Sequence, residues 1–171
     1  MYKKIKNGKG FSLIEIILVL GVVSIFMVSI YFIYKKIDTS IKTEREYEKI
    51  IALHSETVSF IKAFGWSSLN KVEDLLPKKT LINQFGGKIS ISNSNYGFKI
   101  ITRKIPPDVC IQLVMKLNPS VMAITVINDK GFMAVSNNTG NKSWKFDLSK
   151  MSIACVGKGT GSNDIWFEFP V

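Results

Sequence analysis

The hydrophobic pattern divides the chain into a continuous apolar run, an amphipathic segment and a mixed remainder. Residues 11–34 (FSLIEIILVLGVVSIFMVSIYFIY) hold one formal charge, Glu15. At ~1.5 Å per helical residue, this run is long enough to cross a bilayer. Four lysines and no acidic residue stand before it, at positions 3, 4, 6 and 9. This asymmetry predicts a cytoplasmic N-terminus and export of the chain after Lys35.

The amphipathic segment, residues 35–68, is predicted to continue the same helix. Its apolar residues recur at steps of three or four, which is the period of a helix with one buried stripe: Tyr47, Ile50, Ile51, Val58, Ile61 and Phe64. No Gly or Pro lies between Val22 and Phe64. We therefore expect one helix of about 80 Å from Phe11 to Phe64, ending at Gly65. Its second half should lie against a globular domain.

Residues 69–171 are predicted to form a globular domain of short strands and helices. Two strands with a turn at 93–95 predict a β-hairpin over 88–103. Asp108 is predicted to cap a helix that buries Val109, Cys110, Leu113, Val114 and Leu117, and Ser149 a short helix that reaches Cys155. Further strands are expected at 121–127, 132–135 and 165–169, with a short edge strand at 144–146.

The N-terminal region has two features that a plain membrane anchor lacks. Glu15 lies inside the apolar run, where a carboxylate costs ~2.5 kcal/mol or more and marks a functional site by default. Gly10 stands before the run, whereas a secretory peptide is cut after its apolar core. Cleavage at Gly10 would leave the apolar helix on the mature protein. The simpler alternative is a signal anchor with a stray acid near the interface.

The two cysteines, Cys110 and Cys155, both fall in the exported part. An even number in an oxidising compartment favours a disulfide, and two buried free thiols are the alternative. A catalytic cysteine is poorly supported, because neither stands beside a histidine. His54 is the only histidine and falls on the apolar stripe, so it is predicted to be a packed core residue. No pattern of metal ligands or cofactor motif is present, and we predict no enzyme activity.

The net charge is +10, and it falls to +6 if residues 1–10, with their four lysines and no acid, are removed. Such a chain could contact nucleic acid or an anionic surface. However, the charges are spread along the chain without an Arg-rich run. We therefore expect these charges to form an ordinary solvated surface rather than a binding surface for nucleic acid or lipid.

The N-terminal sequence KGFSLIE at 9–15, followed by IILVLG at 16–21, resembles the class III signal of type IV pilins and pseudopilins. The resemblance implies that a prepilin peptidase cuts between Gly10 and Phe11 and N-methylates Phe11. It also implies that Glu15 pairs with the Phe11 amine of a neighbouring subunit. Such a pair fits the physics, since a buried charge without its partner is costly.

The later sequence resembles the globular domain of type IVb pilins. The segments concerned are NQFGGKISI at 83–91, IPPDVC at 105–110, Ala154-Cys155 and IWF at 165–167. This resemblance implies an α+β fold, in which an antiparallel sheet packs on the long helix. It also implies a disulfide-bounded region 110–155 closed by Cys110 and Cys155. The short leader and Phe11 are more usual in type IVa pilins. Against that, Phe32 stands where type IVa helices commonly carry a proline.

The resemblance implies a structural pilus subunit with a leader (1–10), a transmembrane and filament-core segment (11–34), an amphipathic helix (35–68) and a globular domain (69–171). It implies an inner-membrane precursor, then an extracellular filament. The implied partners are other pilin copies, the prepilin peptidase, a platform protein and an assembly ATPase. Two alternatives stay open: a minor pilin or secretion pseudopilin, and a pilus-borne module that binds DNA or a host surface. The use of the pilus in adhesion, aggregation, motility or mating is left open.

Overall fold

The structure is a computed structural model that describes residues 12–94, 97–128, 131–137, 146–156 and 161–170. Two compact units meet between Asp38 and Thr39. The helices are α1 (Leu13–Phe64), α2 (Val72–Leu75), α3 (Pro107–Leu117) and α4 (Leu148–Cys155), with 3₁₀ turns at Trp66–Lys71 and Asn118–Ser120. The strands are β1 (Ile89–Ser94), β2 (Gly97–Ile105), β3 (Ala123–Asn128), β4 (Gly131–Asn137) and β5 (Asn163–Pro170).

Helix α1 runs without a break for 52 residues, which confirms the single long helix. It is long and apolar enough to cross a membrane, with a mean hydropathy of 2.8 over its most apolar window. Every side chain from 12 to 37 is exposed within the chain. The predicted first helical residue, Phe11, lies outside the described residues.

The second half of α1 buries a stripe that differs in part from the predicted one. Its buried residues follow steps of three and four: Thr43, Glu46, Ile50, Leu53, Thr57 and Ile61. Phe64 was wrongly placed on the stripe, because its side chain is 67% exposed. Gly65 adopts φ 81°, which favours glycine, and the helix ends there as predicted rather than continuing to residue 68.

The sheet has the strand order β1-β2-β5-β3-β4, and all of its ladders are antiparallel. This confirms the α+β architecture. The central pair β2 and β5 runs in register from Phe98↔Phe169 to Thr102↔Ile165. Alternate side chains of these strands, including Ile100 and Phe167, are fully buried. They form one core with the stripe of α1 and the inner side of α3.

The edge of the sheet at β1 is occupied by groups from the preceding segment. The Ile91 N–H donates to Glu73 Oε1 at 2.6 Å, and the Ile89 N–H donates to the Leu81 carbonyl at 2.7 Å. Both amides point away from β2, because β1 forms its ladder through the alternate residues. Glu73 thus satisfies a backbone group that an edge strand usually leaves to solvent.

Two predicted helix caps are wrong. Helix α3 begins at Pro107 with Pro106 at its N-cap, so Asp108 lies within the first turn and makes no side-chain cap. Proline suits the first helical position, where the missing N–H costs nothing. In α4 the cap is Asp147, which accepts from the Ser149 and Lys150 N–H groups at 3.0 and 3.1 Å. The predicted buried side of α3 is confirmed: Val109, Cys110, Leu113, Val114 and Leu117 are all 0% exposed.

The five strands lie near the predicted positions with shifted ends: β3 begins at Ala123 instead of 121, and β1 continues to Ser94, through the first two residues of the predicted turn at 93–95. The exception is the edge strand predicted at 144–146. Residues 144 and 145 lie outside the described residues, and Phe146 is not in a strand.

A disulfide joins Cys110 of α3 to Cys155 of α4, with a Cα–Cα distance of 5.6 Å. The disulfide is therefore formed, and the alternative of two free thiols is excluded.

Two asparagine side chains form hydrogen bonds to the backbone of α4 on the same side of the domain. Asn163 Nδ2 donates to the Cys155 carbonyl at 2.9 Å, and Asn128 Nδ2 donates to the Ala154 carbonyl at 2.7 Å.

We expect Gly87→Ala to lower the stability of the globular domain. A Cβ at Gly87 would lie 1.8 Å from the Arg103 carbonyl oxygen and 2.7 Å from Asn83 Nδ2. Relieving that overlap should cost about 1–3 kcal/mol or more. Thermal unfolding of the full chain in detergent, followed by tryptophan fluorescence, measures the change. Gly21→Ala is the matched control, because nothing lies within 4 Å of its added Cβ. Equal unfolding midpoints for the two variants would contradict the packing argument.

We expect the double variant Cys110→Ser, Cys155→Ser to lose about 3–4.7 kcal/mol of unfolding free energy, because the unfolded chain is no longer closed into a loop. Chemical denaturation under non-reducing conditions gives this difference. The wild-type chain should lose stability when reductant is added during unfolding, whereas the double variant should not respond. A wild-type midpoint that ignores reductant would show that the bond contributes little.

Candidate functional site

The N-terminal end of α1 carries the predicted assembly residue in a defined local geometry. Ser12 precedes the helix and Glu15 lies in its first turn. The Ser12 N–H donates to Glu15 Oε2 at 3.1 Å. This is the return half of a capping box, in which an acid at the third helical position satisfies an orphan amide. The sequence Ser-x-x-Glu is the signal for it, and our sequence analysis missed this role.

The helix that follows carries no Asp, Glu, Lys, Arg or His between Glu15 and Lys35. Its two interior serines bond locally. Ser24 Oγ donates to the Leu20 carbonyl at 2.5 Å, and Ser29 Oγ donates to the Ile25 carbonyl at 2.9 Å. In a bilayer or an apolar filament core, such bonds within the helix spare the cost of an unsatisfied hydroxyl. Glu15 is then the distinctive group on an otherwise apolar surface.

The predicted processing residues, Gly10 and Phe11, lie outside the described residues. Their roles and the pairing of Glu15 with Phe11 therefore stay predictions. Among the described residues, no group of three or more His, Cys, Asp or Glu side chains is placed to hold a metal ion.

A buried carboxylate lies in the globular unit, where the sequence gave no sign of it. Glu46 of α1 is 0% exposed. Its Oε2 accepts from the Gln84 N–H at 3.0 Å, and its Oε1 accepts from Thr102 Oγ1 at 3.4 Å. Burial raises the pKa of Glu46, while the Gln84 N–H, the charge of Lys49 and the Thr102 hydroxyl act in the opposite direction.

Asn83 organises the turn that meets Glu46. Its Oδ1 accepts from the Phe85 and Gly87 N–H groups at 2.9 and 2.7 Å. Its Nδ2 donates to Thr102 Oγ1 at 3.0 Å and to the Arg103 carbonyl. The predicted turn at 83–87 is confirmed, but the network that holds it needs Thr102, which is 56 residues from Glu46 along the chain.

His54 lies in an aromatic cluster, as the prediction of a packed residue required. Its ring centroid is 4.4 Å from that of Phe169 and 5.7 Å from that of Phe98, in stacked geometry. Burial lowers the pKa of His54, because the charged imidazolium is poorly solvated there. The neutral ring therefore serves as a packing element between α1 and the sheet.

The globular unit has two surfaces suited to contacts with other molecules. Helix α4, beside the disulfide, exposes Leu148, Ile153 and Val156. A groove of about 430 Å³ is lined by Leu76, Leu81 and Ile82 and by charged residues of the segment before β1. Burying such apolar side chains against a partner would contribute roughly 25 cal/mol per Å².

Comparison with known proteins bears on both parts of the chain. The family model described as PilS N terminal matches residues 42–168. The model described as a prokaryotic N-terminal methylation motif matches residues 5–31. No curated protein sequence matches.

Among solved structures, the chain is similar to the crystal structure of the type IV b pilin from Salmonella typhi. The TM-score is 0.52 at 15% identity, covering 75% of this chain and 99% of that one. At this identity the likeness shows the fold alone. The PilS match covers well over half of the chain and the methylation motif coincides with the apolar helix, so this protein belongs to the PilS family and is a type IV pilin of the IVb kind.

Proposed function

We propose that this pilin is the repeating subunit of a surface filament and polymerises through the N-terminal half of helix α1. The observation that carries the proposal is the exposure of that half: its side chains from 12 to 37, most of them apolar, are exposed. Each exposed Leu, Ile, Val, Phe or Met side chain gains about 1.5–3 kcal/mol on leaving water. Lipid can cover this surface before assembly and copies of the same helix afterwards.

In the proposed precursor, residues 1–10 stay in the cytoplasm and the apolar half of α1 spans the inner membrane. Cleavage after Gly10 then creates a new amine at Phe11, which the peptidase methylates. The matched N-terminal methylation motif at 5–31 supports this order of events. A platform protein and an assembly ATPase would drive the subunit out of the membrane. Energy input is needed because lipid is nearly as apolar as the filament core, so the transfer has little drive of its own.

The register between subunits is proposed to come from Glu15. In the isolated chain the Glu15 carboxylate accepts a hydrogen bond from the Ser12 N–H. In the proposed membrane precursor, this bond gives the carboxylate one local partner before assembly. The Phe11 amine of a neighbour would add an opposite charge in a medium of low dielectric constant, where attraction is strong. The contact joins different surfaces of successive copies, and such a contact generates a helical fibre when the repeated rotation does not close into a ring.

We expect protein from surface-sheared filaments to begin at N-methylated Phe11 and to weigh two hydrogens less than the dithiol form. Intact mass spectrometry and N-terminal sequencing check both points at once. A chain that retains residues 1–10 and is found in the inner membrane alone would point to a plain signal anchor.

We expect Glu15→Gln to be processed and exported but to fail in assembly. A Gln oxygen can still accept from the Ser12 N–H, so the helix cap survives and only the charge is lost. Losing one partner of a buried ion pair costs about 3–5 kcal/mol, which lowers the subunit association constant by at least about a hundredfold. The readout is the yield of sheared filaments, normalised to processed protein in the membrane.

Two further variants separate the causes of that loss. Glu44→Gln removes a charge from the exposed side of the same helix and should assemble normally. Glu15→Ala removes both the cap and the charge, and should fail as well. Normal filament yield from Glu15→Gln, together with loss from Glu15→Ala, would assign Glu15 to helix capping and overturn the pairing mechanism.

A further inference from the structure

The turn at 83–87 is held against helix α1 by few groups, and Glu46 is central among them. The carboxylate accepts from the Gln84 N–H at 3.0 Å on one oxygen and from Thr102 Oγ1 at 3.4 Å on the other. One turn further along α1, Lys49 Nζ donates to the Ile82 carbonyl at 2.7 Å. The attachment thus joins α1, the turn and strand β2 at one buried point.

The turn itself is a stiff unit. Asn83 binds the Phe85 and Gly87 N–H groups, and the Asn83 N–H donates to the Gly87 carbonyl at 2.8 Å. Gly87 fits tightly against the Arg103 carbonyl, where a Cβ would have no room. Local opening would therefore lift the turn as a whole and expose Glu46 to water.

The charges around Glu46 compensate its burial only in part. On its own helix, Lys49 is the charged group whose field acts on it. The turn and β2 face it with uncharged groups, the Gln84 N–H and the Thr102 hydroxyl. The charged neighbours of those groups are engaged elsewhere: Lys88 lies 3.9 Å from Glu73, and Arg103 lies 4.0 Å from Asp164. An ionised Glu46 consequently gains more from hydration than a protonated one.

We propose that Glu46 is a proton-operated latch for the turn at 83–87, which closes more firmly on helix α1 when the Glu46 carboxyl is protonated and opens more often when it is ionised. The proposal concerns the folded subunit alone and is independent of how subunits assemble. The turn connects α1 to the sheet, so the free energy needed to open this connection increases as the pH falls.

The sign follows from linkage. The closed state raises the pKa of Glu46 above its ordinary value of 4.5, whereas the opened state returns it towards that value. Between the two values the closed state binds more proton, so its stability falls as the pH rises through this window. Each pKa unit between the two states changes the opening constant about tenfold.

Hydrogen exchange of the full chain, in filaments and in detergent micelles, tests the latch. The readout at 83–87 is the protection of the Gln84 amide, whose bond to Glu46 breaks when the turn lifts, between about pH 4 and pH 8 and after correction for the intrinsic exchange rate. We expect protection to fall by up to about tenfold per unit of pKa difference as the pH rises. Amides in the central β2–β5 ladder should keep a constant protection and serve as the internal reference.

Glu46→Gln is the decisive variant, because its amide oxygen can still accept from the Gln84 N–H but does not titrate. We expect its protection at 83–87 to be independent of pH. Glu44→Gln removes an exposed carboxylate two residues away, which pairs with Lys116, and should keep the wild-type slope. A slope in Glu46→Gln equal to that of the wild type would overturn the proposal.

The wild-type chain alone also decides the matter if Glu46→Gln does not fold. Protection at 83–87 that stays level, or that increases with pH, contradicts the latch. A fall at 83–87 that is matched by an equal fall in the β2–β5 ladder would reveal global unfolding and would overturn it too.

Discussion

The apolar surface of α1 between residues 13 and 34 must be kept from water, and this requirement governs the rest of the chain. Its side chains are exposed within the chain. A single carboxylate at Glu15 interrupts that surface, and its bond to the Ser12 N–H gives it a local partner. In the proposed function, lipid covers this surface in the membrane precursor, and copies of the same helix cover it in the filament.

The globular unit depends on α1 in a different manner. There the helix supplies one wall of the core through a stripe of six buried residues, three of which are polar. Thr43 and Thr57 satisfy their hydroxyls on carbonyls of the same helix, at Thr39 and Leu53. Glu46 instead reaches out of the helix to the turn and to β2. The first half of the helix is thus exposed within the chain, and the second half contributes to the core of the globular unit.

The long helix, the antiparallel α+β core and the disulfide between Cys110 and Cys155 could be predicted from the sequence. The reason is that helical periodicity and the motifs of the family resemblance can each be recognised within a short stretch of sequence. The sequence was insufficient where a residue's role depends on distant chain. Glu46 looks like surface charge in the run Glu44-Arg45-Glu46, and only the fold brings Thr102 and Gln84 to it. The caps at Asp108 and Ser149 were misplaced for a local reason: Pro106 and Asp147, each two residues earlier, occupy the N-cap positions.

The contact between Glu73 and the Ile91 N–H has a consequence for a protein that exists at very high local concentration in a fibre. An open strand edge in every subunit would invite neighbouring sheets to join and convert an ordered filament into a β-aggregate. At β1 the Glu73 carboxylate occupies an amide that such pairing would use, and places a negative charge where an incoming strand would lie. Subunits can then lie close together without pairing of their sheets at β1, and the contacts between them are made by their helices.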